Sequence, residues 1–313
     1  MTQNPVKDIA IIVPAYNASG TVRETLESIQ NQQSGLDRCA CIVVADDHST
    51  DETSAVAQSC WACNVPLTVS RNEKNWGERT TTNAAVCALP DTVQWFFLLH
   101  ADDVAKPNWL EVLLRGIDQA QSRTIAFTAS YDVLYADGKV VPGENFGEGR
   151  KINIEGTPSN VLGTLKKGCW FKISSSAIRV SAFRALGGFV PDMPQLGDWE
   201  FVLRSLREGW TIEYIPLCLS FYRQSLRSVG SQSIRAHRDV KESLVILERF
   251  GEFLSPRDMA GFHVLYLYWL ARRAVASVIR GDFERLKMAG IQALGVAGSL
   301  RRNCFGRRSA AKA

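Results

Sequence analysis

The sequence predicts an α/β protein: a mostly parallel sheet flanked by helices, followed by a C-terminal helical extension. Three observations predict it. Short apolar runs alternate with stretches of helical period through the first part of the chain. From about His237 onward only helical patterning remains. Charge divides along the same line. From Arg257 to the end, 11 Lys+Arg face 3 Asp+Glu, a local net of +8, and the remainder carries 25 against 29.

Ile9-Ala10-Ile11-Ile12-Val13, closed by Pro14, is a strand buried on both faces. A helix follows, with Thr21 and Glu24 at capping-box spacing and Val22, Leu26 and Ile29 on one face. Cys41–Ala45 is the second strand, and Ser49 and Glu52 suggest a second capping box opening a helix to about Cys60. Pro66–Ser70 is the third strand, Glu78–Ala88 a helix, and Trp95–Leu99 the fourth strand. Pro107 suits a first helical position, ahead of a stripe of Leu110, Leu113, Leu114 and Ile117. Ile125–Ser130 is the fifth strand. Glycine and proline are dense from Leu134 to Gly168, which reads as irregular with short hairpins, and helical pattern returns at Ser181–Leu186 and Trp199–Glu208.

Composition narrows the function. With 313 residues, 46% hydrophobic and 22% charged, the chain is neither disordered nor collagen-like, and it has material for one large domain or two modest ones. The expected division is residues 1–236 and 237–313. A net charge of +4 with an acidic body argues against a nucleic-acid partner. Met1–Asp8 is polar and the run behind it too short for a signal core, and Phe262–Ile279 is interrupted by Arg272 and Arg273. The expectation is a cytoplasmic chain without a spanning helix, its eight cysteines reduced. Cys60-Trp61-Ala62-Cys63 has redox-motif spacing but sits at a helix end, where the dipole does not activate a thiol. Cys39 and Cys41 could complete a zinc set with it only by leaving a buried strand.

Ligands of open α/β sheets lie beyond the carboxyl ends of the strands. The first strand is followed by Pro14-Ala15-Tyr16-Asn17, the second by Asp46-Asp47-His48-Ser49-Thr50-Asp51, the fourth by His100-Ala101-Asp102-Asp103. Paired carboxylates at one edge repel. A hard divalent cation, or hydrogen bonds to ribose and base, would give each pair a purpose, and a nucleoside diphosphate supplies both. Turn and capping roles are the bland alternative for either pair.

These stretches, followed by Leu186-Gly187-Gly188-Phe189 and then by Gly197-Asp198-Trp199-Glu200-Phe201-Val202-Leu203-Arg204, resemble the inverting glycosyltransferases of family 2, which have the GT-A fold, a Rossmann-like sheet. The likeness spans about residues 8 to 224. It implies a nucleotide-sugar site containing Pro14, Tyr16 against the base, Asp47 bonding the base, and Asp102 on the ribose. It further implies Mg²⁺ or Mn²⁺ on Asp103 and Asp198 as the catalytic base. Arg79 is the nearest counterpart of an arginine that often contacts the nucleotide; an ordinary exposed helix arginine is the alternative. Trp199 reads either as a wall for a sugar face or as core. Glu200 reads either as an acceptor contact or as an ion pair with Arg204, four residues on.

Three departures stand out. His100 occupies a position where the family often has Asp, and a structural role suits it better than a metal ligand. Thr82-Asn83 replaces a common Arg-Asn. Ser225 stands where a histidine often follows a Tyr-Arg pair, leaving Arg223 or Arg227 as phosphate contacts or as solvated arginines.

The implied reaction is sugar transfer from a nucleotide-diphosphate sugar to a hydroxyl of a saccharide or lipid-linked saccharide. A nucleotidyltransferase would show a glycine-rich basic loop after the first strand, which Pro14-Ala15-Tyr16-Asn17-Ala18 is not. A non-catalytic glycan-binding scaffold would have lost Asp103 or Asp198, and both are present. The tail, with Arg301, Arg302, Arg307, Arg308 and Lys312, suits an anionic membrane surface, or else caps the domain or forms an oligomer.

Overall fold

The computed structural model describes residues 6–143, 146, 149–224, 233 and 236–302. The chain forms two compact units, Met1–Ser225 and Leu226–Ala313.

The first unit is built on one ten-stranded sheet. β1 (Ile9–Ala15) is buried along its whole length, as its unbroken apolar sequence requires. It pairs in parallel with β2 (Cys39–Asp46) on one side and β4 (Trp95–Leu98) on the other, and β3 (Leu67–Arg71) adds in parallel beyond β2. The crossovers carry α1 (Val22–Gln30), α2 (Thr53–Cys60) and α3 (Glu78–Cys87). After β5 (Val104–Ala105) and α4 (Trp109–Asp118) come β6 (Thr124–Tyr135) and, much later, β10 (Thr211–Gln224), parallel to each other. Between β4 and β6 lies β9 (Ser176–Arg179), antiparallel to both. All the long strands therefore run the same way, and the opposed ones are short: β5, β9, β7 (Val140–Val141) and β8 (Ile152–Ile154).

Several local expectations change. Neither predicted capping box forms. The Thr21 hydroxyl donates to the Ala18 carbonyl at 3.3 Å. The Ser49 hydroxyl accepts from the Asn17 N–H at 2.9 Å, and Asp51 takes the Thr53 N–H at the start of α2 instead. Pro107 lies ahead of α4, whose N-cap residue is Asn108. The stretch read as irregular contains α5 (Pro158–Lys167), with Thr157 capping the Asn160 N–H and Pro158 in the first turn.

An aromatic series crosses the far face of the sheet. Phe96 of β4 meets Phe183 of α6 (Val180–Ala185), which meets Phe189, which meets Phe201 of α7 (Gly197–Arg207), with centroids 5.0, 5.0 and 5.2 Å apart. Each such pair is worth about 0.5–1.5 kcal/mol beyond its buried area. The series fixes α7 to the sheet, and the turn before Phe189 is clamped twice more. Arg204 donates to the carbonyls of Leu186 (2.5 Å) and Gly188 (2.7 Å). Asn83 accepts from the Phe189 N–H at 2.9 Å and donates to its carbonyl at 2.7 Å. Thus Asn83 holds the Gly187-Gly188-Phe189 turn.

The second unit contains α8 (Arg238–Arg249), α9 (Pro256–Ile279) and α10 (Phe283–Arg301). Ser255 and Asp258 form a complete capping box on α9. The buried His263 ring joins the Met259 carbonyl to the Ser299 hydroxyl on α10, and Arg273 forms a bidentate pair with Asp239 on α8. Among the described residues no helix is long and apolar enough to cross a membrane, and all seven cysteines are free thiols.

Gly187 and Gly188 both have left-handed φ, +81° and +73°, but a Cβ on Gly188 would lie 2.5 Å from the Asn83 Oδ1, whereas one on Gly187 meets nothing. Gly187→Ala should cost about 1–2 kcal/mol of stability for backbone strain alone, and Gly188→Ala about 3 kcal/mol as the Asn83 clamp is also displaced. Urea denaturation of the two variants checks this; equal losses would contradict it.

Candidate functional site

The carboxyl ends of β1, β2 and β4 are stitched together by backbone hydrogen bonds. The Asp47 N–H donates to the Ala15 carbonyl at 2.8 Å, and the Ala101 N–H to the Pro14 carbonyl at 3.2 Å. Pro14 is buried within β1, where its carbonyl serves the loop that carries Asp102. Tyr16, one residue past the strand, keeps half its surface exposed. Asn17 takes a left-handed conformation (φ 50°), and its side chain accepts from the Thr50 N–H at 2.8 Å. These bonds join the loops after β1 and β2 into one rim.

The two carboxylates after β2 do different work. Asp46 is a turn residue, accepting from the Ser49 N–H at 2.8 Å and from the Ser54 hydroxyl. Asp47 organises the loop that leads into α3. Its Oδ1 accepts from the Trp76 N–H (2.7 Å), the Thr81 hydroxyl (2.8 Å) and the Asn72 amide (3.0 Å), and its Oδ2 from the Gly77 N–H (2.9 Å). Oδ2 thus has a single donor against three on Oδ1.

The pair after β4 also divides. Asp103, expected to hold a cation, is fully buried, with both oxygens committed to the chain. Oδ2 accepts from the Ser174 hydroxyl at 2.5 Å and Oδ1 from the Arg223 N–H at 2.9 Å. Asp102 is only partly buried. Burial and the Asp103 charge push its carboxyl up to about 6. A divalent cation would relieve that excess of negative charge, so the donor set at Asp102 fits Mg²⁺ or Mn²⁺ better than that at Asp103. Among the described residues no group of three or more His, Cys, Asp or Glu could hold a metal ion. A cation on Asp102 would take its remaining ligands from phosphate and water.

His100 has both ring nitrogens engaged. Nε2 lies 3.2 Å from Glu78 Oε1, and Nδ1 lies 3.0 Å from the Ser174 hydroxyl and 3.7 Å from Asp103. Burial works against charging this ring, but Glu78 and Asp103 outweigh it and raise its pKa well above the ordinary value. Burial likewise opposes the Glu78 charge, while Arg79 and His100 bring its carboxyl down to about 2. His100 is thus a cationic bridge with no lone pair to offer a metal.

Arg79 is buried rather than an exposed helix arginine. Its guanidinium pairs with Glu78 at 3.2 Å and lies over the Phe189 ring, 5.1 Å from the centroid. A Cβ on Gly197 would come within 3.0 Å of its Nε, so Arg79 sits against the start of α7. Asp198, in the first turn of α7, accepts from the Trp199 N–H at 2.9 Å, and the Cys169 thiol nearby donates to the Phe171 carbonyl at 3.6 Å. Burial, then the Asp198 charge, pushes that thiol well above its usual range. Trp199 is core, its indole N–H donating to the Thr164 carbonyl at 3.3 Å, and Glu200 pairs with Arg204 at 2.9 Å. Arg223 is a clamp: its Nε donates to the Asp102 carbonyl at 2.9 Å and its guanidinium pairs with Glu24. Ser225 and Arg227 lie outside the described residues.

Four participants were not read from the sequence: Glu78, Ser174, Cys169 and the backbone N–H of Arg223. The histidine at position 100 was the one available signal, since a cation among carboxylates calls for an acid partner. The serine run 174–176 carried none.

A family model described as Glycosyl transferase family 2 matches residues 10–184, more than half of the chain. An uncharacterized glycosyltransferase of Haemophilus influenzae is 28% identical over 235 residues, 74% of each protein. The O-antigen chain rhamnosyltransferase WbaN of Salmonella anatum is 26% identical over 208 residues, 65% of this chain and 62% of that one. The crystal structure of S. aureus TarS 1-349 in complex with UDP-GlcNAc matches with a TM-score of 0.59 at 16% identity, over 97% of this chain and 92% of that chain. At that identity the likeness is one of fold, and the fold is GT-A.

The histidine bridge has a pH signature. The folded pKa of His100 lies above its unfolded value of about 6.5, so its stabilisation is fully present below that pH and fades as pH rises toward the folded value. His100→Gln should therefore destabilise the EDTA-treated protein most at pH 5.5–6 and progressively less above pH 7. Denaturation curves across that range would refute this if the loss grew with pH.

Proposed function

Since the chain belongs to glycosyl transferase family 2, we propose that its first unit is a metal-dependent, inverting sugar transferase using a nucleotide-diphosphate sugar. The observation that carries the reading is the convergence of Tyr16, Asp47 and Asp102 at one sheet edge, with Asp198 registered to that edge through α3 and Arg79. In this proposal the exposed Tyr16 ring stacks on the base and Asp47 Oδ2 accepts from it. Asp102 holds Mg²⁺ or Mn²⁺, and Asp103, locked behind it, fixes the loop. A cation there would offset the charge growing on the departing nucleoside diphosphate.

Asp198 takes the proton from the acceptor hydroxyl as that oxygen attacks the anomeric carbon. One carbon–oxygen bond forms while the bond to the phosphate oxygen breaks, on opposite faces, so configuration inverts without a covalent enzyme intermediate. The rhamnosyltransferase relative supports a surface-polysaccharide acceptor, saccharide or lipid-linked, and the TarS complex makes UDP the first nucleotide to try. A cytoplasmic location, with the basic end of the chain against the inner membrane surface, completes the proposal. Residues 303–313 of that end lie outside the described residues.

Thermal shift and calorimetry with UDP, GDP, CMP and dTDP, each with and without Mn²⁺, test the reading. One nucleotide should bind only with metal, and Asp102→Asn should lose that binding with little change in thermal stability. Asp103→Asn should lower the melting temperature in the absence of any nucleotide. Asp198→Asn should keep nucleotide binding and lose about 10²–10⁴-fold in kcat. Failure of every nucleotide to bind folded protein would sink the proposal, and metal-dependent binding that survives Asp102→Asn would return the cation to Asp103.

A further inference from the structure

The exposed large hydrophobic side chains are concentrated in one place. Few are scattered over the first unit, but α9 and α10 expose a continuous series of them between Val264 and Leu294. On α9, Val264, Tyr268, Val275 and Ile279 recur at helical spacing on one stripe, and Ile291 and Leu294 are exposed on α10, which packs against α9. The largest exposures are at Ile279 (80%), Phe283 (76%) and Leu294 (76%). Single exposed apolar residues need no explanation, but a contiguous set on two packed helices does.

The charge of the same segment identifies what it meets. Residues 256–302 carry eight Lys+Arg and three Asp+Glu, a net of +5. Arg272, Arg280 and Lys287 are exposed among the apolar positions. A second copy would bring two such cationic faces together, whereas an anionic lipid surface complements both the charge and the apolar stripe. Tyr268 and the adjacent Trp269 are the residue types that settle at headgroup level, and neither helix can span a bilayer.

We propose that the α9–α10 pair is an in-plane membrane-docking face that inserts its apolar stripe between anionic phospholipid headgroups. This deepens the peripheral contact proposed above and locates it on folded helices rather than in the final basic residues. Its readout does not require sugar transfer, so it can fail or succeed independently of the catalytic proposal.

The test is flotation of the full chain with neutral phosphatidylcholine vesicles and with vesicles containing about a third phosphatidylglycerol. The chain should float with the anionic vesicles and much less with the neutral ones. Arg272→Gln with Arg280→Gln and Lys287→Gln should weaken anionic binding about five-fold per charge removed, ~10²-fold together. Tyr268→Ser, Val275→Ser, Ile279→Gln and Leu294→Gln combined should abolish it, with thermal unfolding unchanged because all four positions face solvent. Equal flotation of this variant and the parent chain would overturn the proposal. So would a parent chain that ignores anionic vesicles and instead forms a concentration-dependent dimer that the apolar variant disperses.

Discussion

The buried carboxylate of Asp103 is the constraint on which the candidate site depends. A charge taken fully out of water costs several kcal/mol unless its lone pairs are filled. Here they are filled by groups from distant parts of the chain: the Ser174 hydroxyl just ahead of β9 and the Arg223 N–H near the end of β10. The Asp103 carbonyl meanwhile accepts from Thr25 of α1 at 2.8 Å. One residue thus ties the end of β4 to β9, β10 and α1 together. Removing one partner of such a buried charge typically costs 3–5 kcal/mol. The neighbouring Asp102, on the same turn, is left facing outward.

A second tie runs through α3, a helix of ten residues. Its first turn is docked by Asp47, which takes the Trp76 and Gly77 N–H groups and the Thr81 hydroxyl. The same turn supplies Glu78 to His100 and Arg79 to the Phe189 ring, and one turn later Asn83 grips the Phe189 backbone. The helix therefore registers the edge carrying Asp47 and Asp102 against the turn that leads to Asp198. Sub-ångström placement of a base relative to a reacting carbon requires supports of this kind, because a displacement of about 1 Å can cost 10²-fold in rate.

Much of this was legible in the sequence, and what was not has identifiable reasons. β1 and β4 announced themselves as apolar runs because both their faces are buried, and β2 did so although Ala40, Cys41 and Val43 are only half-buried. β9 did not: four residues, Ser176–Arg179, are too few to show a period, and only the pairing with β4 and β6 makes them a strand. β10 was hidden by Pro216 and by register shifts between Ile215 and Ser220. The motif after β4 was visible, but spacing did not show that Asp103 is its buried member and Asp102 its partly exposed one. Adjacent residues on a turn face opposite ways, and spacing alone does not say which faces in. The capping boxes failed for a related reason. Ser49 and Thr21 had the right spacing, yet Ser49 serves the distant Asn17 N–H and Thr21 bonds back to the Ala18 carbonyl instead.

The distribution of positive charge is the physical case for a cation in the proposed reaction. A nucleoside diphosphate brings negative charge to an edge already carrying Asp47, Asp102 and Asp103. The cations placed nearby are each turned toward an acid of the chain: His100 and Arg79 toward Glu78, Arg223 toward Glu24, Arg71 toward Asp46. Turning any of these cations to a phosphate would give up an existing ion pair, so the new contact would return only the difference. A divalent ion, were one held by Asp102, would avoid that exchange: it would offset the burial and the Asp103 charge that push the Asp102 carboxyl up to about 6, and would leave the pairs that hold the loops undisturbed.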